Sequence, residues 1–314
     1  MIKDLEVGKI SSFPALVRKI EIKQKKNGES YADFTLSDKT GSVKGKAWRL
    51  SQVKDVEEGN VVWVDSAGVQ EYAGEMQVVL NGTLECVVDA DPLEYCVSSK
   101  FAAEDMLAVL QKCISEVENE WCKKLLLYFF DDKSFLDMFC TCAAGETVHG
   151  AYVGGLLEHT LFVTRAVKQI GKIYTWLNKD LMITAAILHD IGKTKELSPF
   201  PKNQYTDYGR FVGHVVGSAF MVNKACDEIS GFPDDVRLKL IHCILAHHGK
   251  LEFGSPKLPV VPEAFVISTM DNLDAKLNIF NETVKVNEWS SYNRFLEGYV
   301  TSGDFNEEKV VRNM

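Results

Sequence analysis

Apolar and polar positions follow two different patterns in the two parts of this chain. Between Phe13 and about Val88, short segments alternate apolar and polar residues, as β-strands with one buried face do. They read FPALVRKIEI, SYADFTLSD, SVKGKAW, NVVWVDSAGVQ and EMQVVLNGTLECVV. Turn residues separate the first three, in KKNGES and SDKTGS, and the longer VKDVEEGN precedes the fourth. The pattern therefore predicts five strands in succession with an insert after the third.

Five strands with that insert suit an OB-like β-barrel. The barrel resembles nucleic-acid binders that stack bases on aromatic side chains. We predict nucleic-acid contacts at Lys23, Lys25, Phe34 and Trp48, chosen from a wider set of strand aromatics (Phe13, Tyr31, Phe34, Trp48, Trp63, Tyr72) and a basic run (Arg18, Lys19, Lys23, Lys25, Lys26). The alternative is that most of these aromatics fill the barrel interior and the lysines are solvated, which leaves one or two contacts at most.

The second part of the chain has helical periodicity. Residues 89–100 (DADPLEYCVSSK) lose the alternation, and from Ala102 onward apolar residues recur three and four apart. Further helices are predicted at about 134–142, 154–170, 179–189, 211–229, 234–248 and 262–280. The expected organisation is an OB-like domain at 1–90, a linker and connecting helix at 91–133, an all-α domain at 134–290 and a tail at 291–314.

Composition narrows the class of protein. The formal net charge of −9 disfavours a protein that coats nucleic acid nonspecifically, because that mode depends on many Lys and Arg contacts to phosphates. The eight cysteines show no CxxC spacing and are expected to be reduced. The N-terminus lacks a signal-peptide core, and no stretch approaches the roughly 20 apolar residues of a membrane span. A cytoplasmic protein without membrane contact is expected.

All seven histidines lie in the helical part. A lone histidine is usually a hydrogen-bonded core residue, but here several interrupt apolar helical runs together with carboxylates. They are His159 in GGLLEHTLFV, His189 and Asp190 in LMITAAILHDIGK, His214 in GRFVGHVVGSAFMV, His247 and His248 in CILAHHGK, and Asp271 in AFVISTMDNLDAKL. Imidazole and carboxylate ligands without a thiolate suit Mn²⁺, Fe or another divalent first-row ion.

The order His, His-Asp, His, His-His, Asp resembles the dinuclear branch of the HD superfamily of metal-dependent phosphohydrolases. More narrowly, His149 through Phe280 resembles the YhaM-type 3′-to-5′ exoribonucleases, which also carry an N-terminal OB domain. The matching blocks are ILHDIGKTKEL, GHVVGSAFMVN, LAHHGKLEFGSPKLP and MDNLDAKLN. With the OB-like part, the resemblance covers all but about the last twenty residues.

The resemblance implies two divalent metal ions, with Mn²⁺ as the first choice and Fe, Co or Mg as alternatives. It assigns one ion to His159, His189, Asp190 and Asp271 and the other to His214, His247 and His248, with Asp190 bridging. Two such ions activate a hydroxide that attacks phosphorus.

The resemblance also suggests roles for residues around the ligands. Lys193 would meet a phosphate oxygen, or it is a cation favoured at a helix C-terminus. His149 would contact phosphate or protonate the leaving oxygen, so that the catalytic candidates are Asp190, Lys193 and His149. Lys250, in a Gly- and Pro-rich loop, is a further candidate for nucleic-acid contact, unless that loop is only a connector. His242 is interpreted as structural, and Asp274 either orients a ligand or is a surface charge.

The expected function is 3′-to-5′ exonucleolytic hydrolysis of single-stranded RNA, with single-stranded DNA as a further substrate. The first alternative is an HD phosphodiesterase for small nucleotides or cyclic dinucleotides, in which the barrel serves assembly. The second is a non-catalytic nucleic-acid-binding factor, which the intact ligand set disfavours. The expected partners are single-stranded RNA or DNA and a second copy of the chain in a homo-oligomer.

Overall fold

The computed structural model describes residues 1–146, 150–284 and 287–302. The chain divides into two compact units. The first consists of Met1–Ser98 with the short segment Pro199–Asn203, and the second of Ser99–Ser198 with the residues from Gln204 onward. Within the described residues, no helix is both long enough and apolar enough to cross a membrane.

The first unit is a closed β-barrel, which confirms the OB-like fold class. Its strands are β1 (Ile10–Gln24), β2 (Ser30–Asp38), β3 (Gly41–Ala47), β4 (Val61–Tyr72), β5 (Glu75–Leu80) and β6 (Leu84–Cys86). The sheet order is β1-β2-β3-β5-β4-β6, and an additional β1–β4 pairing closes the barrel. All pairings are antiparallel except β3 with β5. Alternate residues such as Leu36, Val62 and Val64 fill its core.

The segment predicted as the fifth strand is in fact two strands. The N–H groups of Asn81 and Gly82 both donate to Ser66 O, at 3.0 Å each, and do not continue the β5 ladder. The chain turns there, and β6 pairs with the other end of β4.

The second unit is helical, as predicted. Its helices are α1 (Ala103–Ser115), α2 (Glu120–Phe130), α3 (Lys133–Thr141), α4 (Gly155–Ile173), α5 (Lys179–Leu188), α6 (Lys193–Glu196), α7 (Asp207–Phe211), α8 (Gly213–Glu228), α9 (Asp234–Leu245) and α10 (Pro262–Thr283). Residues Leu181–Leu188 of α5 are all buried, so this helix is covered on every side. The apolar face of α4, including Leu157 and Leu161, belongs to the same core.

The helical periodicity that begins at Ala102 is interrupted between α1 and α2. The side chain of Asn119 accepts hydrogen bonds from the N–H groups of Trp121 and Cys122 and so caps α2. Asp180 accepts from the N–H groups of Glu118 (2.9 Å) and Asn119 (2.7 Å). These acceptors stabilise a break between two helices that the apolar spacing alone does not reveal.

Candidate functional site

The predicted metal ligands come together in the second unit, each at or near the end of a helix or on α10. His159 lies in the second turn of α4, His189 and Asp190 follow α5 directly, and His214 is the second residue of α8. His247 and His248 follow the C-cap of α9, and Asp271 lies within α10. These seven residues are called the cluster below.

Gly192 allows two of the contributing segments to approach closely. A Cβ atom at this position would lie 2.4 Å from His214 O and 2.6 Å from Ser218 N, which is closer than any side chain tolerates. The N–H of Gly192 donates to Ser218 Oγ at 2.8 Å. Because the turn after Asp190 can pack directly against α8, His214 reaches the carboxylate of Asp190.

Every histidine of the cluster is oriented in the same way, with Nδ1 bound to an acceptor and Nε2 pointing into the cluster. The Nδ1 contacts are His159 with Asp274 Oδ2 (2.9 Å), His189 with Ala186 O (2.8 Å), His214 with Glu196 Oε1 (2.9 Å), His247 with Ile244 O (2.6 Å) and His248 with Phe253 O (2.8 Å). Carbonyl and ionised carboxylate oxygens only accept, so Nδ1 carries a hydrogen, and in a neutral ring Nε2 then presents its lone pair.

The Nε2 atoms converge in two groups around Asp190. His159 Nε2 and His189 Nε2 are 3.2 Å apart, and each lies within 3.6 Å of Asp190 Oδ2. On the other side, His214 Nε2 and His247 Nε2 lie 3.5 Å and 3.4 Å from Asp190 Oδ1. Asp190 Oδ1 and His247 Nε2 are buried without a hydrogen-bond partner. Buried lone pairs that face one another at these distances are costly unless a proton or a metal cation lies between them.

The remaining two members complete the two groups. Asp271 Oδ1 lies 3.1 Å from His159 Nε2 and 3.8 Å from His189 Nε2. His248 Nε2 lies 3.2 Å from His214 Nε2. Two sets of three, His159 with His189 and Asp271, and His214 with His247 and His248, each offer ligand atoms within 4.8 Å of one another. The cluster is therefore able to bind metal, and its imidazole and carboxylate donors fit divalent first-row ions.

Burial and neighbouring charges set the protonation of the cluster. Burial lowers the pKa of His247. Burial, with a smaller contribution from the neighbouring His247 ring, lowers the pKa of His248 to about 4, so both imidazoles are neutral at pH 7. Burial opposes ionisation of Asp190, but the positive charge of Lys193 holds the pKa of Asp190 well below its usual range. These residues therefore present the forms that ligate metal, which are neutral imidazole and ionised carboxylate.

His159 is the exception in the absence of a cation. Burial alone would lower the pKa of His159, but the carboxylates of Asp271 and Asp274 raise this pKa to about 10. The same interaction with His159 outweighs burial and keeps the pKa of Asp271 well below its usual value. The positive charge that these carboxylates favour is the charge that a bound divalent ion would provide.

Lys193 lies against the cluster, and Lys250 lies close to it along the chain. Lys193 Nζ is 2.6 Å from Asp190 Oδ2, and its side chain is only 13% exposed. Burial alone would lower the pKa of Lys193, but Asp190 raises it, so the ammonium stays charged. Lys250 is exposed, two residues after His248, and pairs with Glu252 at 3.2 Å. His149, the other catalytic candidate, lies outside the described residues.

His242 lies apart from the cluster. Its Nε2 accepts the N–H of Val260 at 3.0 Å, and its ring lines an open apolar groove of about 680 Å³ beside Leu238 and Leu258. The structure thus gives His242 a structural hydrogen bond, which agrees with the interpretation made from the sequence.

Two carboxylates outside the cluster hold histidine ring nitrogens. Asp274, three residues after Asp271, is the acceptor for His159, and Asn278 Nδ2 donates to the same Asp274 oxygen at 3.0 Å. Asp274 is buried, so it is not a surface charge. Glu196, the acceptor for His214, was not predicted from the sequence. In the sequence, Glu196 is marked only as the acidic residue of ILHDIGKTKEL after Asp190, and the structure places it at the end of the short helix α6.

On the barrel, several of the predicted aromatic and basic side chains lie together. They come from β1 and β2 and from residues at the ends of β1 and β3. The Tyr31 and Trp48 rings are 5.5 Å apart, and Lys46 Nζ lies 5.0 Å and 5.6 Å from their centroids. Lys25 Nζ lies 5.3 Å from the Trp48 ring, and Lys23 pairs with Asp33 at 2.9 Å. We call Tyr31, Trp48, Lys23, Lys25 and Lys46 the barrel surface.

The structure excludes Phe34 from the barrel surface and places Lys46 on it. Phe34 is 3% exposed and packs against Gly45 in the barrel core, so it has no free ring face to offer a base. Lys46, which was not among the residues predicted from the sequence, lies opposite Asp33 on β2 and contacts its Oδ1 at 2.6 Å. In the segment KGKAW, Lys46 is two residues before Trp48, so the alternation of a strand predicts that both side chains lie on the same face.

Comparisons with known proteins agree with these features. The family model described as HD domain matches residues 156–276. The chain is 30% identical over 289 residues to 3′-5′ exoribonuclease YhaM of Listeria welshimeri, covering 90% of each protein. It is 32% identical over 273 residues to the protein of that name in Bacillus licheniformis, covering 84% of this chain and 85% of the relative.

Among solved structures, part of this chain is similar to the second OB-fold domain of replication protein A from Methanococcus maripaludis. The identity is 19% and the TM-score 0.24, with 29% of this chain and 96% of that chain covered.

Proposed function

This chain belongs to the YhaM family of 3′-5′ exoribonucleases, and from that premise we propose that it is a metal-dependent 3′-5′ exoribonuclease acting on single-stranded RNA. The direction of cleavage and the RNA substrate are proposed from the activity that names these relatives. The observation that carries the proposal is the convergence of histidine Nε2 atoms from both sides on Asp190, whose Oδ1 has no hydrogen-bond partner.

We propose that the cluster holds two divalent ions, with Mn²⁺ the first choice. His159, His189 and Asp271 would hold one ion beside Asp190 Oδ2, and His214, His247 and His248 the other beside Asp190 Oδ1. Bound divalent ions supply activation of water and neutralisation of the charge that develops on the scissile phosphate. No nucleophilic side chain is then needed.

The chain's own side chains provide positioning and charge. The buried imidazoles are held by their Nδ1 hydrogen bonds, so their ligand atoms are fixed before substrate arrives. Lys193 places a buried ammonium beside Asp190, where it can meet a non-bridging phosphate oxygen. Lys250, exposed after His248, is proposed to contact the RNA backbone.

We propose that the barrel surface binds the single-stranded substrate. Tyr31 and Trp48 offer aromatic faces to bases, and Lys25 and Lys46 bring positive charge to the same place. Asp33 holds Lys23 and Lys46, so part of the positive charge is already paired. Binding should therefore depend more on stacking, and less on salt, than it would on a surface of unpaired lysines.

The test is degradation of a 5′-labelled single-stranded RNA in Mn²⁺. We expect the wild type to produce a ladder that shortens from the 3′ end, and the variant with His189→Ala and Asp190→Ala to leave the RNA intact. His242→Ala is the matched control, because it removes a histidine of the same unit outside the cluster.

Parallel reactions contain single-stranded DNA, a cyclic dinucleotide and a mononucleotide. RNA that stays intact with the wild type while a small nucleotide is hydrolysed would contradict the exoribonuclease and favour a small-nucleotide phosphodiesterase. Cleavage that persists in the double variant would contradict the assignment of the cluster.

A further inference from the structure

Glu196 contacts His214 through both its ring and its backbone. Glu196 Oε1 accepts from His214 Nδ1 at 2.9 Å and from the His214 backbone N–H at 2.9 Å. The other carboxylate oxygen, Oε2, also lies 2.9 Å from Nδ1. The Glu196 side chain is 9% exposed, so these contacts form with little competition from water.

The position of His214 explains why it needs an acceptor from another segment. His189 and His247 donate from Nδ1 to the carbonyl three residues earlier, Ala186 and Ile244, at the ends of their own helices. His214 is the second residue of α8, so α8 contains no carbonyl three residues earlier. Its side chain is also 17% exposed, against 0% and 1% for His189 and His247.

Glu196 also takes the place of a helix cap. Val212, the N-cap residue of α8, makes no side-chain capping bond, and the first N–H groups of a helix lack partners within it. Glu196 supplies an acceptor for one of them and brings a negative charge to the positive end of α8. Since Glu196 ends α6, it also ties the segment after Asp190 to α8.

We propose that Glu196 is the positioning residue for His214, holding its ring in the Nδ1–H form with Nε2 directed at the cluster. This rests on the proposed function for the assignment of His214 as a metal ligand. Asp274 has the equivalent contact with His159, so each proposed ion has one histidine held by a carboxylate. Loss of Glu196 should therefore weaken the ion beside His214 and spare the ion beside His159.

Glu196→Gln tests this with little change in shape. Both carboxylate oxygens lie 2.9 Å from Nδ1, so the amide must turn its N–H₂ group toward a ring N–H or move away. We expect the affinity for one of two Mn²⁺ ions to fall about 10- to 100-fold, as removal of such outer partners does. Glu104→Gln, at an exposed carboxylate in the first turn of α1, is the control and should bind as the wild type does.

The second readout requires neither activity nor metal. Histidine ¹⁵N chemical shifts of the metal-free wild type should show His214 protonated at Nδ1 and unprotonated at Nε2, and Glu196→Gln should change this pattern at His214 and leave His189 unchanged. A wild-type His214 protonated at Nε2 alone would overturn the proposal even if the variant does not fold.

Equal Mn²⁺ affinity and unchanged His214 shifts in Glu196→Gln would also overturn it. If the wild type binds no Mn²⁺, the proposed function fails, whereas the ¹⁵N shifts still decide whether Glu196 fixes the His214 ring.

Discussion

The aromatic pair on the barrel surface leads to a quantitative prediction for Trp48→Ala. The Trp48 ring is tilted by 37° to Tyr31 at a centroid distance of 5.5 Å, and Trp48 is 45% exposed, so one part of its surface packs and the rest is free to stack on a base. Removing one base-stacking ring costs about 1–3 kcal/mol. With tenfold in affinity for about every 1.4 kcal/mol, the Kd for single-stranded RNA should rise about 5- to 150-fold.

Trp63→Ala is a closely matched control. Trp63 is 42% exposed and also lies on a barrel strand, but it pairs with Pro14 and Glu85, away from the β2–β3 pairing. Fluorescence anisotropy of a labelled RNA would measure binding, with His189→Ala and Asp190→Ala present in each protein to prevent cleavage. Thermal unfolding of each variant would show whether the barrel remains folded.

Three outcomes would refute this reasoning. Equal Kd values for Trp48→Ala and Trp63→Ala would mean that the barrel surface does not stack on RNA. A loss in Trp63→Ala alone would place binding near the pairings of β4 with β1 and β6. If Trp48→Ala, in the active protein, slowed hydrolysis of a dinucleotide as much as that of a long RNA, its effect would lie in catalysis and not in holding the strand.

Two further predictions concern residues outside the proposed sites. Val260 N–H needs a neutral acceptor, and burial, with nearby Lys257, lowers the pKa of His242 below 6.5. The free energy of unfolding by which the wild type exceeds His242→Ala should therefore be largest above pH 6.5 and should shrink as the pH falls through the lowered pKa of His242. Urea unfolding at several pH values would measure this difference, and a difference that grows toward low pH would contradict the prediction. Burial raises the pKa of Cys142 and Cys243 to about 12, whereas Cys86 is exposed. Iodoacetamide should therefore label Cys86 first in the native protein, as mass spectrometry would show. Earlier labelling of Cys142 would contradict this prediction.

The fold class could be predicted from the sequence because apolar residues recur with a clear spacing in each unit, every second residue in the barrel and every third or fourth in the helical unit. Alternation in SYADFTLSD and SVKGKAW predicts the β2–β3 pair, and the structure pairs them in register from Ala32 with Ala47 to Asp38 with Gly41. The spacing of apolar residues could not predict where the pairing of two strands ends or where a helix ends. The break before α2 depends on Asp180, which is remote along the chain from the N–H groups that it accepts. Such long-range capping leaves no local pattern.

The candidate cluster could be identified because polar residues interrupt apolar helices. His159 and His189 lie among buried residues, where an unpaired imidazole would be costly, so their presence indicates a partner. Phe34 shows the limit of this approach, since alternation places a residue on one face of a strand but does not say whether that face is the inside of the barrel. Its burial became clear only when the sheet closed through β1 and β4.

The outer acceptors were harder to predict than the ligands for a geometric reason. A ligand must interrupt an apolar pattern, because its donor atom points into the buried interior from a helix that packs there. An acceptor such as Glu196 only has to reach a ring nitrogen from the side, so it can lie at the end of a four-residue helix among polar neighbours. Asp274 was recognisable because it shares a helical face with Asp271 three residues earlier. Glu196 acts on a histidine 18 residues away, through a turn that depends on Gly192, and only the folded structure brings the two together.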